Sequence, residues 1–266
     1  MFKLYLDPGH GGNDPGASGH GLEEKDITLD IALRIRRLLN GYENVSVKMS
    51  RTDDNFISLD QRTNEANDWD ADYFLSIHCN AFNGSAHGYE DYIHDSLSDA
   101  SITKRYQEII HHEVNDLNRL TDRGQKKADF HVLRESIMPA LLTENGFIDN
   151  AGDAAKMKDP SWRQKVAEGH VNGLMKAFKL KPKIAPINNQ TLYKVIAGAF
   201  KNKDNAEHRV NYLDVIEIKA FVDPTYISGE LWYRVQAGAF EKKDNAEDQV
   251  KRLKKHGIKA FIITDT

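Results

Sequence analysis

The stretch Asp7-Pro8-Gly9-His10-Gly11-Gly12 decides how the chain begins to fold. Residues 2–6, directly before it, are largely apolar and favour β-structure, so we predict a buried first strand. Asp7 and Pro8 end that strand, and the three glycines allow the backbone to turn sharply around His10. The stretch therefore predicts a strand that carries His10 into a tight loop.

Two later residues give His10 a candidate chemical role. Glu24 stands just before an amphipathic helix predicted for residues 26–40, and His78 ends a strand predicted for residues 73–78. Two histidines and one carboxylate are typical of a catalytic zinc site, because they leave a coordination position open. The alternative is a turn histidine, a helix-capping glutamate and a buried histidine, and the residue types alone leave both interpretations open.

The order of elements predicts the fold class. Strands and helices alternate along the first 180 residues, which favours an α/β fold, a mostly parallel sheet with helices on both faces. Ligands in such sheets collect beyond the C-terminal ends of the strands, where His10, His78 and Glu144 fall. Further predicted strands are residues 45–49, 88–94, 130–134 and 140–143, and further helices begin at a Ser58–Gln61 capping box, near Ile102 and near Trp162.

Glu144 is the candidate general base. It directly follows the predicted strand 140–143, and Gly146 close behind it leaves room for a substrate. A carboxylate beside a zinc site can take a proton from water and hand it to a leaving amine. The alternative is a strand-end carboxylate satisfied by backbone amides.

The tail of the chain contains an internal repeat with an offset of 40 residues. Each half predicts a strand, an Asn- or Asp-capped helix and a strand, so residues 192–266 are predicted to form a small α+β domain of βαββαβ order. Residues 181–191 contain two prolines and no apolar period, which predicts a linker. The matching segments are residues 193–200 with 233–240, 203–207 with 243–247, and 219–221 with 259–261.

Composition excludes several classes of protein. Residues 1–180 carry 21 Lys and Arg against 29 Asp and Glu, and residues 192–266 carry 13 against 11, which argues against a nucleic-acid partner. No stretch of the sequence is apolar enough to predict a membrane span. The N-terminus lacks a basic region followed by an apolar one, so we predict no cleavable secretory signal. The single cysteine, Cys79, excludes an intramolecular disulfide; next to His78 in a strand it points the other way, so we expect a packed thiol rather than a fourth metal ligand.

The first 180 residues resemble the zinc-dependent N-acetylmuramoyl-L-alanine amidases of family 3. The resemblance implies that His10, Glu24 and His78 bind Zn²⁺, that Glu144 is catalytic, and that peptidoglycan is the substrate. We assign no catalytic role to Arg51, Arg62 and Arg134, which we interpret as structural ion-pair partners. We assign none to His131 either, which we interpret as a strand residue whose ring nitrogens have hydrogen-bond partners. The matching stretches are DPGHGGNDPGASG at 7–19, LEEKD at 22–26, SRTDD at 50–54, SIHCNA at 76–81, DRGQKKADFHVLR at 122–134 and PALLTENGF at 139–147.

The repeat resembles a SPOR domain, a module that binds peptidoglycan glycan through its sheet. The resemblance makes Ile196, Phe200, Gln236 and Phe240 candidate contacts, although repeated strand aromatics are usually core, an alternative that we favour for both phenylalanines. The first half departs from the family pattern before residue 218, because it lacks a counterpart of the helix-ending Gly257.

Three functions are compatible with these residues. A zinc amidase would cut the bond between N-acetylmuramic acid and L-alanine in mother-cell or phage lysis, and would reach the wall without a signal peptide, as a monomer. A wall glycosidase would instead use paired carboxylates such as Asp7 and Glu144. A non-catalytic module would bind an anion at a helix N-terminus, although Asp14 occupies the position of the third glycine of a dinucleotide motif.

Overall fold

The computed structural model describes residues 1–183, 192–227 and 230–264, with the side chain of Tyr226 outside this description. The chain divides into two compact units, Met1–Lys183 and Ile184–Thr266. Most of the predicted linker, 181–191, lies outside the described residues. Its first residues pair with the first unit, where the Lys183 amide donates to the Gly41 carbonyl at 2.7 Å. No helix of the described residues is long and apolar enough to cross a bilayer.

The first unit is built from eight strands and six helices among the described residues. These are β1 (Phe2–Pro8), β2 (Ser18–Gly19), β3 (Leu22–Glu23), α1 (Glu24–Leu39), β4 (Val45–Met49), α2 (Leu59–Asp68), β5 (Tyr73–Asn80), β6 (Tyr89–His94), α3 (Ile102–Asn118), β7 (Asp122–Ala128), α4 (His131–Arg134), β8 (Ala140–Phe147), α5 (Ala151–Lys158) and α6 (Pro160–Phe178). The predicted capping box at the start of α2 is confirmed, since Ser58 and Gln61 bond to each other's backbone amides.

Six strands form the central sheet, in the order β4-β1-β5-β8-β6-β7. The first four run parallel, β6 lies antiparallel to β8, and β7 is parallel to β6. Helices α1, α3 and α6 cover one face over a core that includes Leu6, Leu75 and Leu141. Helices α2 and α4 cover part of the other face over Phe74 and Leu142. The predicted α/β fold with a mostly parallel sheet is thus confirmed.

The prediction of a strand over residues 130–134 is wrong. His131–Arg134 is a single helical turn, because neighbouring Val132 and Leu133 are both buried against the sheet, which an extended strand with alternating faces does not allow. The strand lies earlier, at Asp122–Ala128. Its sequence DRGQKKA is polar because it is the half-exposed edge of the sheet, so no apolar pattern could reveal it.

The second unit has the predicted βαββαβ order. Its elements are β9 (Tyr193–Phe200), α7 (Lys203–Val215), β10 (Phe221–Ile227), β11 (Glu230–Phe240), α8 (Lys243–Lys255) and β12 (Phe261–Thr264), and its sheet order is β10-β11-β9-β12. Leu213 and Leu253 of the two helices pack with Val195 and Val235 in one core. Asn202 caps α7 as predicted, but the prediction of a polar cap is wrong for α8, where Lys242 occupies the position without a side-chain bond.

The helix of the first repeat ends in the same way as that of the second, although Glu217 stands where the second has Gly257. Glu217 has φ of 57°, and its repeat counterpart Gly257 has φ of 73°. The chain therefore leaves α7 and α8 through the same left-handed residue. A side chain in this region costs on the order of 1–2 kcal/mol.

We predict that Glu217→Gly stabilises the end of α7 by about 0.5–1 kcal/mol, since relief of the left-handed strain exceeds the added unfolded-state entropy. The reciprocal Gly257→Ala should destabilise α8 by about 1 kcal/mol, because nothing lies within 4 Å of the added Cβ and only backbone strain changes. Hydrogen–deuterium exchange of the two helices in the full chain measures both effects. Equal protection in wild type and Glu217→Gly would show that the position is not strained.

Candidate metal centre

The loop after β1 is held by two buried arginines. Arg62 donates to the carbonyls of Pro8 and His10, both at 2.8 Å. Arg51 donates to the carbonyls of Pro8 at 3.1 Å and Gly9 at 2.8 Å. His10 has φ of 61° in this loop, a left-handed conformation that these contacts maintain. Arg62 and Arg134 are ion-pair partners as expected, Arg62 of Asp7 and Arg134 of Asp129 and Glu135. Arg51 instead supports the loop through backbone carbonyls.

Asp7 is the buried anchor of the same loop. Its carboxylate is 1% exposed and accepts from Arg62 at 2.5 Å and from the hydroxyls of Ser50 and Ser76 at 2.7 Å each. Burial alone would raise the pKa of Asp7, but the Arg62 guanidinium and the two hydroxyls outweigh it and hold the pKa below its usual value. Asp7 is thus a fixed anion, and neither of its oxygens is free to act on a glycosidic bond as nucleophile or base.

The three predicted metal ligands come together at the C-terminal ends of β1 and β5, where His10 follows β1 and His78 lies within β5. Glu24, the first residue of α1, places Oε2 at 3.1 Å from His10 Nε2 and Oε1 at 3.0 Å from His78 Nδ1. One donor atom from each residue lies within 4.8 Å of the other two. The imidazole rings stand nearly perpendicular, at 81°. This is a compact set of two nitrogens and one carboxylate.

The surroundings of Glu24 favour its ionised form. Burial would raise the pKa of Glu24, but hydrogen bonds from His10 and His78 outweigh it, so the pKa lies far below its usual value. Amides of Ala17 and Cys79 also donate to its oxygens, at 2.8 and 2.9 Å. An ionised carboxylate that faces two imidazole nitrogens is balanced either by protons on the rings or by a metal ion. The donor set fits zinc.

Two glycines make room for these side chains. A Cβ at Gly9 would lie 2.2 Å from Cε1 of His78, and a Cβ at Gly16 would lie 2.6 Å from both Glu24 Oε2 and His10 Cδ2. No side chain can be accommodated at either position without moving a ligand. The glycines of the motif therefore serve the packing of the site as well as the turn.

Asp14 was missed as a functional residue by the sequence analysis. Its Oδ2 lies 2.9 Å from His10 Nδ1, and its Oδ1 accepts from the Gly16 amide at 3.1 Å. A carboxylate can only accept, so Asp14 keeps a proton on His10 Nδ1, and Nε2, which faces Glu24, is the nitrogen that would bind a metal ion. An acid four residues after a loop histidine was the available signal.

Glu144 lies on β8, directly opposite His78 of β5. Its Oε2 is buried and has no hydrogen-bond partner among the described residues, so the alternative of a carboxylate satisfied by backbone amides does not hold for this oxygen. Burial, and then the charges of Glu24 and Glu90, raise the pKa of Glu144 well above its usual value. Such a group can carry and transfer a proton.

Glu144 opens onto a cavity of about 400 Å³ shared with His10 and His78. Two helix starts line the cavity with apolar side chains, namely Phe56, Ile57 and Leu59 near α2 and Phe130 and Val132 near α4. His131 also lines it, from a helix rather than the predicted strand, with Nε2 at 3.3 Å from Asp60 Oδ1. Cys79 packs in the core on the opposite face of the sheet, as expected.

Comparisons with known proteins agree on both parts of the chain. Residues 4–176 match the family model described as N-acetylmuramoyl-L-alanine amidase, and residues 181–264 match the SPOR domain model. The chain is 54% identical to a sporulation-specific N-acetylmuramoyl-L-alanine amidase of Bacillus subtilis (strain 168), over 78% of each chain. It is 42% identical to an endolysin of Bacillus phage SPP1, over 69% of each chain.

A solved structure is similar to the first unit. The catalytic domain of CwlV, an N-acetylmuramoyl-L-alanine amidase from Bacillus (Paenibacillus) polymyxa, superposes with a TM-score of 0.65 at 33% identity. The match covers 68% of this chain and 100% of that domain. The range matched by the amidase family model, residues 4–176, includes the candidate residues His10, Glu24, His78 and Glu144.

We predict that Asp14→Ala weakens zinc affinity by about 10–100-fold, because His10 loses the partner that fixes its tautomer. Competition with a chromophoric chelator measures the affinity. Asp53→Ala removes the same charge from a nearby exposed position whose carboxylate accepts from Asn55, and it should leave the affinity unchanged. Equal affinities of all three proteins would remove Asp14 from the metal centre.

Proposed function

The chain belongs to the N-acetylmuramoyl-L-alanine amidase family, and on that premise we propose that His10, Glu24 and His78 hold a catalytic zinc ion and that Glu144 transfers the proton. The enzyme hydrolyses the amide between N-acetylmuramic acid and L-alanine of the peptidoglycan stem peptide. The observation that carries the assignment of roles is Glu144 Oε2, which has no hydrogen-bond partner in the described part of the chain, on a side chain that shares one cavity with both histidines.

The residues around the proposed ion each have a separate task. Glu24 supplies the negative charge, and Asp14 holds the His10 ring with Nε2 directed inward. When bound, zinc supplies Lewis-acid activation of the scissile carbonyl and of the attacking water. The short loop pinned by Arg51 and Arg62 keeps His10 in place without rearrangement, which is the preorganisation that such a site needs.

Glu144 performs the proton transfer in this mechanism. It accepts a proton as water attacks the lactyl carbonyl, and returns a proton to the L-alanine nitrogen as the amide bond breaks. A raised pKa suits both halves of this cycle, because the group must gain and lose the proton near neutral pH. The glycosidase alternative lacks its nucleophile or base, since Asp7 is buried and both of its oxygens are bonded to Arg62, Ser50 and Ser76.

We assign wall attachment to the sheet of the second unit. Phe221, Gln236, Ile196 and Phe261 are cross-strand neighbours in one row, on the face opposite the helices. Gln236 and Ile196 form the buried floor, while Phe221 and Phe261 are 54% and 49% exposed at its two sides. Aromatic side chains that flank a shallow floor suit a glycan strand, which stacks on them through the flat faces of its sugars.

The two phenylalanines that the sequence analysis named as candidate glycan contacts do not lie on this face. Phe200 and Phe240 pack against the helix-side core, in agreement with the packing alternative. Phe221 and Phe261 were overlooked, although the repeat pairs them at the same offset of 40 residues. We propose that residues 1–180 hydrolyse the wall while residues 192–266 tether them to it, in mother-cell or phage lysis.

We predict that Glu144→Gln keeps its zinc but loses turnover by about 10²–10⁴-fold, because the amide preserves the shape and removes the base. Release of new amino termini from purified wall measures the rate, and atomic absorption measures the metal. Glu135→Gln, an exposed carboxylate paired with Arg134, serves as the control and should be fully active. A Glu144→Gln enzyme within a few-fold of wild type would assign the base elsewhere.

We also predict that Phe221→Ala and Phe261→Ala each weaken wall binding by about fivefold. Each substitution removes apolar contact with the glycan that contributes about 1 kcal/mol of binding free energy. Cosedimentation with purified wall, in the Glu144→Gln background to prevent digestion, measures the bound fraction. Tyr212→Ala removes an aromatic that is 47% exposed on α7 and should not alter binding. Unchanged binding by both phenylalanine variants would exclude this face.

A further inference from the structure

A second polar cluster lies one strand away from Glu144, and its two cations have no part in the mechanism above. It consists of Arg123 and Lys126 of β7 around Glu90 of β6, and we call it the cationic cluster. Glu90 is only 2% exposed. Arg123 Nε donates to Glu90 Oε2 at 2.6 Å, and Lys126 Nζ contacts the same oxygen.

The other oxygen of Glu90 is also occupied. Its Oε1 accepts from the Tyr92 hydroxyl at 2.7 Å and from the Asn80 amide at 2.9 Å. Burial would raise the pKa of Glu90, but hydrogen bonds from Lys126, Arg123 and Tyr92 outweigh it and hold the pKa below its usual value. Glu90 is therefore a fully bonded anion that holds two cations in fixed positions.

The cationic cluster carries a net positive charge. Two cations around one carboxylate leave a surplus of one positive charge, within a unit whose first 180 residues carry eight more acidic than basic side chains. The Arg123 and Lys126 side chains are 33% and 35% exposed. Arg123 Nη2 has no acceptor among the described residues, and the guanidinium lies over the Phe147 ring at 4.8 Å. An immobilised guanidinium with free N–H groups is suited to bind a carboxylate.

The cationic cluster is anchored on the same face of the sheet as Glu144. Glu90 is the direct cross-strand neighbour of Glu144, so both side chains emerge on the same face of the sheet. Asn80 reaches Glu90 from the strand that carries His78. Phe130 of the cavity wall packs on Tyr92 at 5.1 Å between ring centroids, and Lys126 lies over the same Tyr92 ring at 5.8 Å.

We propose that Arg123 and Lys126 bind a free carboxylate of the stem peptide, and so select the peptide on the leaving-group side of the cut. This inference rests on the proposed function. The lactyl carboxyl of muramic acid is consumed in the scissile amide and its amine is acetylated, so the glycan at this bond is neutral. The carboxylates of the substrate lie in the peptide beyond L-alanine.

The test compares one muropeptide in three forms: with all carboxylates free, with the α-carboxylate of the residue after L-alanine amidated, and with the C-terminal carboxylate amidated. Binding is measured by calorimetry to the zinc-loaded Glu144→Gln protein, which does not require turnover. We expect one amidation to weaken binding by about 10–100-fold, as loss of hydrogen bonds to a charged group does. Arg123→Gln should weaken binding of the peptide with free carboxylates by the same factor as that amidation does. It should leave binding of the peptide amidated at that carboxylate unchanged.

The matched control is Lys127→Gln, which removes the same charge from the next residue of β7. Lys127 points to the other face, where its Nζ contacts the Leu97 carbonyl and Asp99 at 2.6 and 2.8 Å, so it should bind all three peptides like the parent. If Arg123→Gln weakens binding of the free-acid peptide and of the amidated peptide by the same factor, the substitution acts by disturbing the fold, and the carboxylate site is refuted. If wild type hydrolyses none of the peptides while this binding pattern is present, the proposed function fails and the site stands.

Discussion

The buried ion pair between Asp7 and Arg62 is the contact on which the metal centre depends. Asp7 ends the first strand, and Arg62 of α2 bonds at once to its carboxylate and to the carbonyls of Pro8 and His10. Removing one partner of a buried pair typically costs about 3–5 kcal/mol, because a charge is left unpaired. In this chain the same contact fixes a left-handed histidine, so fold stability and ligand position are inseparable.

Strand register carries the remaining geometry. Parallel pairing of β5 with β8 sets His78 opposite Glu144, and antiparallel pairing of β8 with β6 sets Glu144 opposite Glu90. A slip of one residue in either pair would turn Glu144 to the face occupied by Cys79. The sheet thus aligns the candidate ligand His78, the proposed proton carrier Glu144 and the buried anion Glu90 across three neighbouring strands. The apolar packing of both faces maintains that register.

Sequence reasoning predicted the parts of this arrangement that have a local signature. The glycine-rich turn, the buried strands and the 40-residue repeat each leave a pattern within a few residues, and the ligand candidates follow from strand ends. The polar edge strand β7, the helical turn at Val132 and Leu133, and the cationic cluster depend on which strand neighbours which. Those relations are long-range, so no local pattern could supply them. Asp14 was within reach, since its position relative to His10 is set by a four-residue loop.

X-ray absorption at the zinc edge of the purified full chain tests the proposed centre most directly. We expect a first shell of nitrogen and oxygen neighbours at about 2.0–2.2 Å, with the multiple scattering of two imidazoles. Scattering by sulfur at about 2.3 Å would bring Cys79 into the shell and contradict its place in the core on the opposite face. Absence of stoichiometric zinc after loading would contradict the assignment of His10, Glu24 and His78 as ligands.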